Sequence, residues 1–180
     1  MNVVEPIKNK KDLEKIEKIL ANKNKRDLLL FIMGTNTGLR VSDILSLDVN
    51  DVKNKDFVNL TEKKTGKQKR FPLNPKIKLL VQNFNKNRKE NEPLFKTKRR
   101  QRMERTNAYR IINQACKEIG LKENIGTHTL RKTFGYHHYQ KFKDIALLQK
   151  IFNHCSPNIT LRYIGIEQDE INKSYLSFIL

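Results

Sequence analysis

Tryptophan is absent from this 180-residue sequence, and cysteine occurs only twice, at Cys116 and Cys155. Two cysteines provide neither a disulfide framework nor a paired-cysteine metal or redox motif, so the sequence favours a reducing, cytoplasmic setting. Apolar runs long enough to span a bilayer are also missing, and residues 1–11 lack the apolar stretch of a secretory signal. We therefore predict neither a membrane segment nor a cleaved leader.

Acidic residues are few, because 19 Asp and Glu stand against 37 Lys and Arg, which gives a net charge of +18. Such a chain attracts polyanions, since Lys and Arg release condensed counterions when they bind phosphates. The hydrophobic share of 37% is sufficient for one buried core, and neither a linker nor an internal repeat divides the sequence. We expect a single domain over residues 1–180 that binds nucleic acid, with a membrane surface as the second candidate.

Hydrophobic periodicity predicts a mainly α-helical fold with a small antiparallel β-hairpin. Helices are expected at residues 11–20, 27–35, 75–87, 107–120 after a cap at Thr106, and 167–180 as a C-terminal tail helix. Two short strands at residues 57–60 and 69–73 flank Thr65 and Gly66. The turn between them carries three basic side chains near its tip: Lys63, Lys64 and Lys67.

An arginine follows the most apolar predicted helix. Gly38 is expected to end that helix, and Arg40 or Ser42 to begin the next. Arg40 then lies beside packed structure, where an unpaired cation is costly. We therefore expect it to have a partner or a ligand.

The stretch at residues 127–164 carries most of the polar side chains that suggest chemistry. Thr127 is predicted to cap a helix, which places His128 and Arg131 three residues apart on one face, able to address the same small anion. Asp144 is predicted to cap the next helix, which brings His154 to its C-terminal end. Ser156 starts a third short helix that carries Tyr163.

A second concentration of charge lies between the hairpin and this stretch. Residues 96–105 form a loop that is expected to contact nucleic-acid phosphates through six side chains: Lys96, Lys98, Arg99, Arg100, Arg102 and Arg105. Lys63 and Lys67 of the hairpin are expected to make contacts of the same kind. The tail helix is acidic at its start, and an apolar stripe of Ile171, Tyr175 and Phe178 or Ile179 requires a surface to cover it.

Each feature also has an ordinary structural explanation. Arg40 suits a surface or capping role, the hairpin lysines a solvated turn, and His154 a cation at a helix C-terminus. A zinc site at His137, His138, His154 and Cys155 is disfavoured, because adjacent helical residues point apart and no second cysteine is suitably spaced.

Four motifs occur in a characteristic order: TGLRVSD at residues 37–43, KTGK in the hairpin followed by RFPL, HTLRKTFG at 128–135, and FNHCSPNITLRYI at 152–164. Over roughly residues 35–164 this set resembles the tyrosine recombinases, the phage-integrase family. The resemblance implies a catalytic domain of that family, whose site residues would be Arg40, Lys64, His128, Arg131, His154 and Tyr163, with Asp43 supporting Arg40.

The chemistry of these residue types agrees with such a site. Tyr163 offers a phenolic oxygen for a covalent phosphodiester intermediate, and His128 a base for its proton. Arg40 and Arg131 bind nonbridging phosphate oxygens, and His154 adds a donor. Lys64 protonates the leaving 5′ oxygen. The resemblance adds that the link is a 3′-phosphotyrosyl ester.

Two departures from the family pattern are visible: Asn153 stands where a glycine commonly precedes the histidine, and Asp144 lacks a preceding glycine. The separate N-terminal DNA-clamping domain of the family is not expected in this sequence. The resemblance implies double-stranded DNA as partner, self-association on DNA up to a tetramer with a free monomer, and a bacterial or phage origin.

We expect no cofactor and no metal, because neither grouped carboxylates nor a phosphate-binding glycine loop for ATP is present. Two other functions stay open. The first is a non-catalytic basic module that binds DNA or RNA, and the second is a nuclease that works without metal.

Overall fold

The computed structural model describes residues 4–179, with the backbone alone for residues 167–171 and 174. The fold class expected from the sequence, mainly α with a two-stranded antiparallel sheet, is confirmed. In chain order the elements are α1 (Lys10–Lys23), α2 (Lys25–Thr37), α3 (Val41–Ile44), α4 (Val49–Val52), β1 (Phe57–Thr61), β2 (Gln68–Pro72), α5 (Pro75–Asn85), α6 (Arg105–Glu118), α7 (Thr129–Phe142), α8 (Ile145–Phe152), α9 (Pro157–Ile164) and α10 (Ile166–Ser177).

Helix α2 lies at the centre of the main core, because its apolar side chains are buried on all sides. It packs closely on α7, where a Cβ at Gly34 would lie 2.4 Å from Cδ1 of Leu130. The helix ends at Gly38, whose φ of +64° places it in the left-handed region that glycine adopts without strain. The chain then turns directly into α3, which places Arg40 next to this core.

A smaller apolar cluster holds the last part of the chain. Leu148, Phe152, Ile164 and Ile166 are buried together, and they join α8, α9 and the start of α10 to the middle of α7. The helices approach closely at Gly135, where a Cβ would lie 2.6 Å from Cγ2 of Ile164. The two segments that carry His154 and Tyr163 are therefore anchored to the helix that follows His128.

The hairpin of β1 and β2 pairs in the register Phe57↔Pro72 to Thr61↔Gln68. Val58 and Phe71 are paired and buried, so one face of the ribbon contacts the core. Glu62 N donates to Lys67 O and Gly66 N donates to Glu62 O, both at 2.9 Å. These bonds close the turn at residues 62–67 and hold its lysines at one end of the ribbon.

Several predicted helix starts and ends differ from the structure. The cap of α7 is His128 rather than Thr127, and Thr129 Oγ1 accepts from Gly126 N at 2.9 Å. Helix α6 begins after Glu104, not after Thr106. In each case the helix starts one or two residues away from the expected capping side chain, and the residue at the cap makes no side-chain capping bond.

The tail helix spans Ile166–Ser177 and so ends before the predicted boundary at residue 180, which lies outside the described residues. Of the expected apolar stripe, the side chain of Ile171 is also outside them. Tyr175, Phe178 and Ile179 are 79%, 71% and 88% exposed, and the adjacent Leu176 is 83% exposed. The end of the tail thus presents apolar surface to solvent rather than to the core of its own domain.

Candidate active site

Arg40 is held between two carboxylates. It is the N-cap residue of α3, and its side chain is 16% exposed. Its Nη1 lies 2.9 Å from Oε2 of Glu62 and 3.9 Å from Oδ2 of Asp43. The partner expected for Arg40 is therefore present, but its nearest carboxylate is Glu62, which the sequence did not indicate.

Asp43 and Glu62 also fix the base of the hairpin turn. Asp43 is fully buried, and its Oδ1 accepts from Lys63 N at 3.1 Å. Burial acts to raise the pKa of Glu62, but the hydrogen bond from Thr65 and the ion pair with Arg40 outweigh it, and the pKa lies below its ordinary value. Glu62 is therefore ionised at neutral pH.

Lys64 faces the same cavity as Arg40 and His128. This open cavity of about 460 Å³ is lined by Arg40, Val41, Ser42, Lys63, Lys64, Arg105, Thr127 and His128. Three of the six residues in the predicted site thus share one cationic opening. A phosphodiester is the kind of ligand that such an opening favours.

Two further hairpin lysines contact α8. Lys69 Nζ donates to Ile151 O at 2.8 Å, and Lys67 Nζ donates to Oδ1 of Asn153 at 3.1 Å. Burial, together with the charge of Arg131, lowers the pKa of Lys69 to about 8. Asn153 adopts a left-handed conformation with φ of 54°, which explains why it occurs where the family commonly has glycine.

The predicted base and nucleophile meet at one edge of the site. Tyr163 Oη lies 3.3 Å from Nδ1 of His128, and the two rings form an edge contact. Burial raises the pKa of Tyr163, while Arg131 and Arg40 act in the opposite direction. Partial burial lowers the pKa of His128, and nearby cations, led by Arg131, lower it further. Near neutral pH this pair is a phenol next to a neutral imidazole.

Arg131 is 3% exposed and is fixed by the backbone. Its Nη1 donates to Gly38 O at 2.5 Å and its Nη2 donates to Phe152 O at 2.9 Å, while the guanidinium lies 4.4 Å from the centroid of the Phe152 ring. A guanidinium has five N–H donors, so these bonds leave others for a ligand. Arg131, which is predicted to bind phosphate, is thus already oriented by these two backbone carbonyls.

His154 follows the end of α8 and packs against the nucleophile. Its ring lies 5.1 Å from the Tyr163 ring, and its Nδ1 lies 3.1 Å from Oγ1 of the buried Thr160. Thr160 Oγ1 donates to Ser156 O at 3.2 Å, so it accepts from Nδ1–H of His154. The other ring nitrogen, Nε2, can donate to a phosphate oxygen only when the imidazole is protonated. Burial lowers the pKa of His154, and Arg131 and Arg40 lower it further.

Lys132, which the sequence analysis did not single out, also touches the nucleophile. Its Nζ lies 5.1 Å from the centroid of the Tyr163 ring and donates to Val4 O at 2.7 Å. Its place directly after Arg131 in the motif is a signal that was available in the sequence. Glu62, Lys69 and Thr160 had no such signal, because each acts through a partner distant in sequence or on the opposite side of a turn.

The basic loop at residues 96–105 divides into exposed and engaged side chains. Lys98, Arg99 and Arg100 are exposed. Arg102 donates to Leu45 O and Leu47 O and pairs with Asp48 at 2.6 Å. Lys96 pairs with Glu92 at 2.6 Å, and Arg105 lines the cavity described above.

Within residues 4–179, no three His, Cys, Asp or Glu side chains among those described lie close enough to bind a metal ion together. Across the same part of the chain, no helix is long and apolar enough to cross a bilayer.

Comparison with known proteins agrees with the motifs. The model of the phage integrase family matches residues 9–170. The chain is 50% identical over 179 residues to the probable integrase/recombinase YoeC of Bacillus subtilis, covering 99% of this chain and 98% of that protein. It spans between 46% and 58% of the length of several other curated relatives that it matches.

Solved structures share the fold. The XerA recombinase superposes with a TM-score of 0.78 at 20% identity, covering 97% of this chain and 65% of that one. The lambda integrase bound to DNA superposes with a TM-score of 0.71 at 18% identity, covering 92% of this chain and 62% of that one. With the family match over most of its length and a relative of half-identical sequence, the chain belongs to the phage integrase family of tyrosine recombinases.

Proposed function

We propose that this protein is the catalytic domain of a site-specific DNA recombinase that cleaves and rejoins strands through a covalent 3′-phosphotyrosyl intermediate. One observation carries the proposal: the phenolic oxygen of Tyr163 lies 3.3 Å from Nδ1 of His128. That pair lies beside an anchored Arg131 and next to an opening lined by Arg40 and Lys64. A nucleophile, a base, two phosphate-binding arginines and an acid are therefore supplied by one small region.

In the cleavage step, the oxygen of Tyr163 attacks phosphorus and forms the P–O bond, while its proton passes to Nδ1 of His128. The P–O5′ bond breaks, and the departing 5′ oxygen takes a proton from Lys64. Charge that grows on the nonbridging oxygens is bound by Arg40, Arg131 and His154.

Rejoining is the reverse reaction. A 5′ hydroxyl gives its proton to Lys64 and attacks the phosphotyrosine, and Tyr163 leaves with the proton held by His128. Because the ester keeps the energy of the broken phosphodiester, no nucleotide is consumed. Every proton in both directions is carried by a side chain of this protein, so we propose a metal-independent strand transferase similar in chemistry to type IB topoisomerases.

The partner in this proposal is double-stranded DNA, which suits a net charge of +18 and the cationic lining of the cavity. The protein would accordingly act in the compartment that holds the DNA, the cytoplasm of a bacterium. The family membership favours this function over a basic module that binds without chemistry.

The exposed tail supports self-association on DNA. Four apolar side chains are exposed in the last turn of α10 and just after it: Tyr175, Leu176, Phe178 and Ile179. We propose that a neighbouring protomer on DNA covers them. Truncation after Ile166 keeps the buried side chain of Ile166 and should leave a folded protein that binds single sites normally but adjacent sites less cooperatively. Loss of the cooperative thermal transition in the free truncated protein would show instead that the tail completes the core.

A nicked suicide duplex, from which the cleaved end diffuses away, tests the proposed chemistry. Incubation in EDTA should produce a protein–DNA adduct that survives denaturation. A shift of the DNA without adduct would identify a binding module. Cleavage without adduct would identify a nuclease, and an adduct that forms only with added Mg²⁺ would contradict metal independence.

A further inference from the structure

Glu62 is a buried carboxylate that the proposed reaction does not use. It directly follows β1, is 2% exposed, and closes the hairpin turn through its own backbone N–H and carbonyl. A carboxylate in such a place requires compensation by charge or hydrogen bonds. The partners that compensate the charge of Glu62 are Arg40 and Thr65.

One oxygen of Glu62 serves two partners. Oε2 lies 2.9 Å from Nη1 of Arg40 and accepts from Oγ1 of Thr65 at 2.7 Å. Thr65 is next to Lys64 in the turn, and Lys64 and Arg40 line the same cavity. The same atom thus contacts the guanidinium that would bind phosphate and the turn that would deliver the leaving-group proton.

Asp43 holds Arg40 less closely than Glu62 does. Oδ2 of Asp43 lies 3.9 Å from Nη1 of Arg40, and Oδ1 of Asp43 accepts a hydrogen bond from the backbone N–H of Lys63. The short contact that fixes the end of the Arg40 side chain therefore comes from Glu62. An arginine has many rotamers, and fixing it before DNA binds removes that ordering cost from the reaction.

We infer that Glu62 is a positioning residue for Arg40, and that it links the orientation of this guanidinium to the closed form of the turn that carries Lys64. The inference rests on the proposed function. Glu62 does not touch DNA in this account. It acts through Arg40, so its effect depends on the phosphate charge that Arg40 neutralises.

That dependence separates the inference from a purely structural role. A residue that only stabilises the hairpin would slow cleavage of every substrate alike. A residue that orients Arg40 matters when a charged nonbridging oxygen must be bound, and matters little when that charge is removed. A methylphosphonate at the scissile position removes it, because a methyl group replaces one nonbridging oxygen.

Glu62→Gln keeps the size and an oxygen for Thr65 but removes the charge. With suicide duplexes under single-turnover conditions, it should slow adduct formation on the phosphodiester by roughly 10-fold to 100-fold. On the methylphosphonate, the rate of adduct formation by Glu62→Gln should stay within about 2-fold of that of the unmutated protein. In an Arg40→Ala background, adding Glu62→Gln should not slow adduct formation on the phosphodiester any further.

Glu17→Gln is the matched control, since Glu17 is paired with Lys76 at 2.7 Å on the surface, and it should react like the unmutated protein on both substrates. Equal slowing of Glu62→Gln on both substrates, or its full effect in the Arg40→Ala background, would overturn the inference while leaving the proposed function intact. An unmutated protein that forms no adduct on the phosphodiester would contradict the proposed function itself.

Discussion

The phenolic oxygen of Tyr163 lies 3.3 Å from Nδ1 of His128, although the two residues are 35 positions apart. The contact joins the last turn of α9 to the cap of α7, and the small apolar cluster around Phe152 and Ile164 holds the two helices together. The position of the nucleophile thus depends on this apolar cluster, and Lys132 also lies against the Tyr163 ring. Its reactivity is set by the imidazole and by the nearby arginines.

Adduct formation should reach its plateau below pH 6.5. His128 accepts a proton only when neutral, and partial burial, followed by the charges of Arg131 and Arg105, lowers its pKa from 6.5. A lowered pKa keeps the neutral form dominant at and above pH 6.5, so the rate should rise with pH only below that value. The rate at limiting DNA concentration reports the pKa of the free protein. A rising limb centred above pH 6.5 would contradict the assignment of His128 as base.

Lys64→Ala should slow cleavage of a normal phosphodiester by roughly 100-fold, because the 5′ oxygen then leaves without a proton. A substrate with a 5′-bridging sulfur should restore most of this rate, since a thiolate leaves unprotonated. Lys63→Ala, which changes the adjacent lysine of the same cavity, is the control and should show no such rescue. Equal slowing of Lys64→Ala on both substrates would show that Lys64 positions DNA.

The buried Lys69 should make stability depend on pH. Its pKa is about 8 in the folded protein against 10.5 in the unfolded chain. Between these values the unfolded chain binds more protons, so the free energy of unfolding rises with pH. Relative to Lys69→Met, the unmutated protein should gain up to about 3 kcal/mol across this window. Urea denaturation at several pH values measures it, with the exposed Lys18→Met as control. A pH-independent difference would mean that Lys69 is solvated.

Replacement of Arg99 and Arg100 by Gln should weaken DNA binding for all sequences alike. The slope of log affinity against log salt should fall by about one for each lost phosphate contact. Arg102→Gln is expected to behave differently, because Arg102 bonds to Leu45 O, Leu47 O and Asp48, and should lower the Tm. An unchanged salt slope in the Arg99 and Arg100 variant would place the loop away from DNA.

The starts of α8 and α9 were predicted correctly from the sequence, because their capping side chains make the expected local hydrogen bonds. Asp144 and Ser156 cap α8 and α9 as expected, each accepting a backbone N–H three residues on. Thr127 failed as a cap because the buried Thr129 takes the polar contact and shifts the start of α7. Capping preferences depend on the local sequence and take no account of how deeply each side chain is buried.

The site was only partly predictable for a similar reason. Motif order identified Arg40, His128, Arg131 and Tyr163 as residues that would meet, and the structure brings His128 and Tyr163 into contact. Glu62 was missed because its partner Arg40 lies 22 positions earlier, at the start of α3, and no periodicity relates the two. The docking of Lys69 on the carbonyl end of α8 was missed because it depends on how the ribbon crosses that helix.

The central claim is that Tyr163 forms the covalent bond to DNA. A suicide duplex in EDTA traps the adduct, and mass spectrometry of its peptides locates the modified residue. The adduct should map to Tyr163, and Tyr163→Phe, which lacks only the phenolic oxygen, should bind DNA normally and form no adduct. An adduct at Tyr136, Tyr139 or Tyr175, or one that persists in Tyr163→Phe, would contradict it.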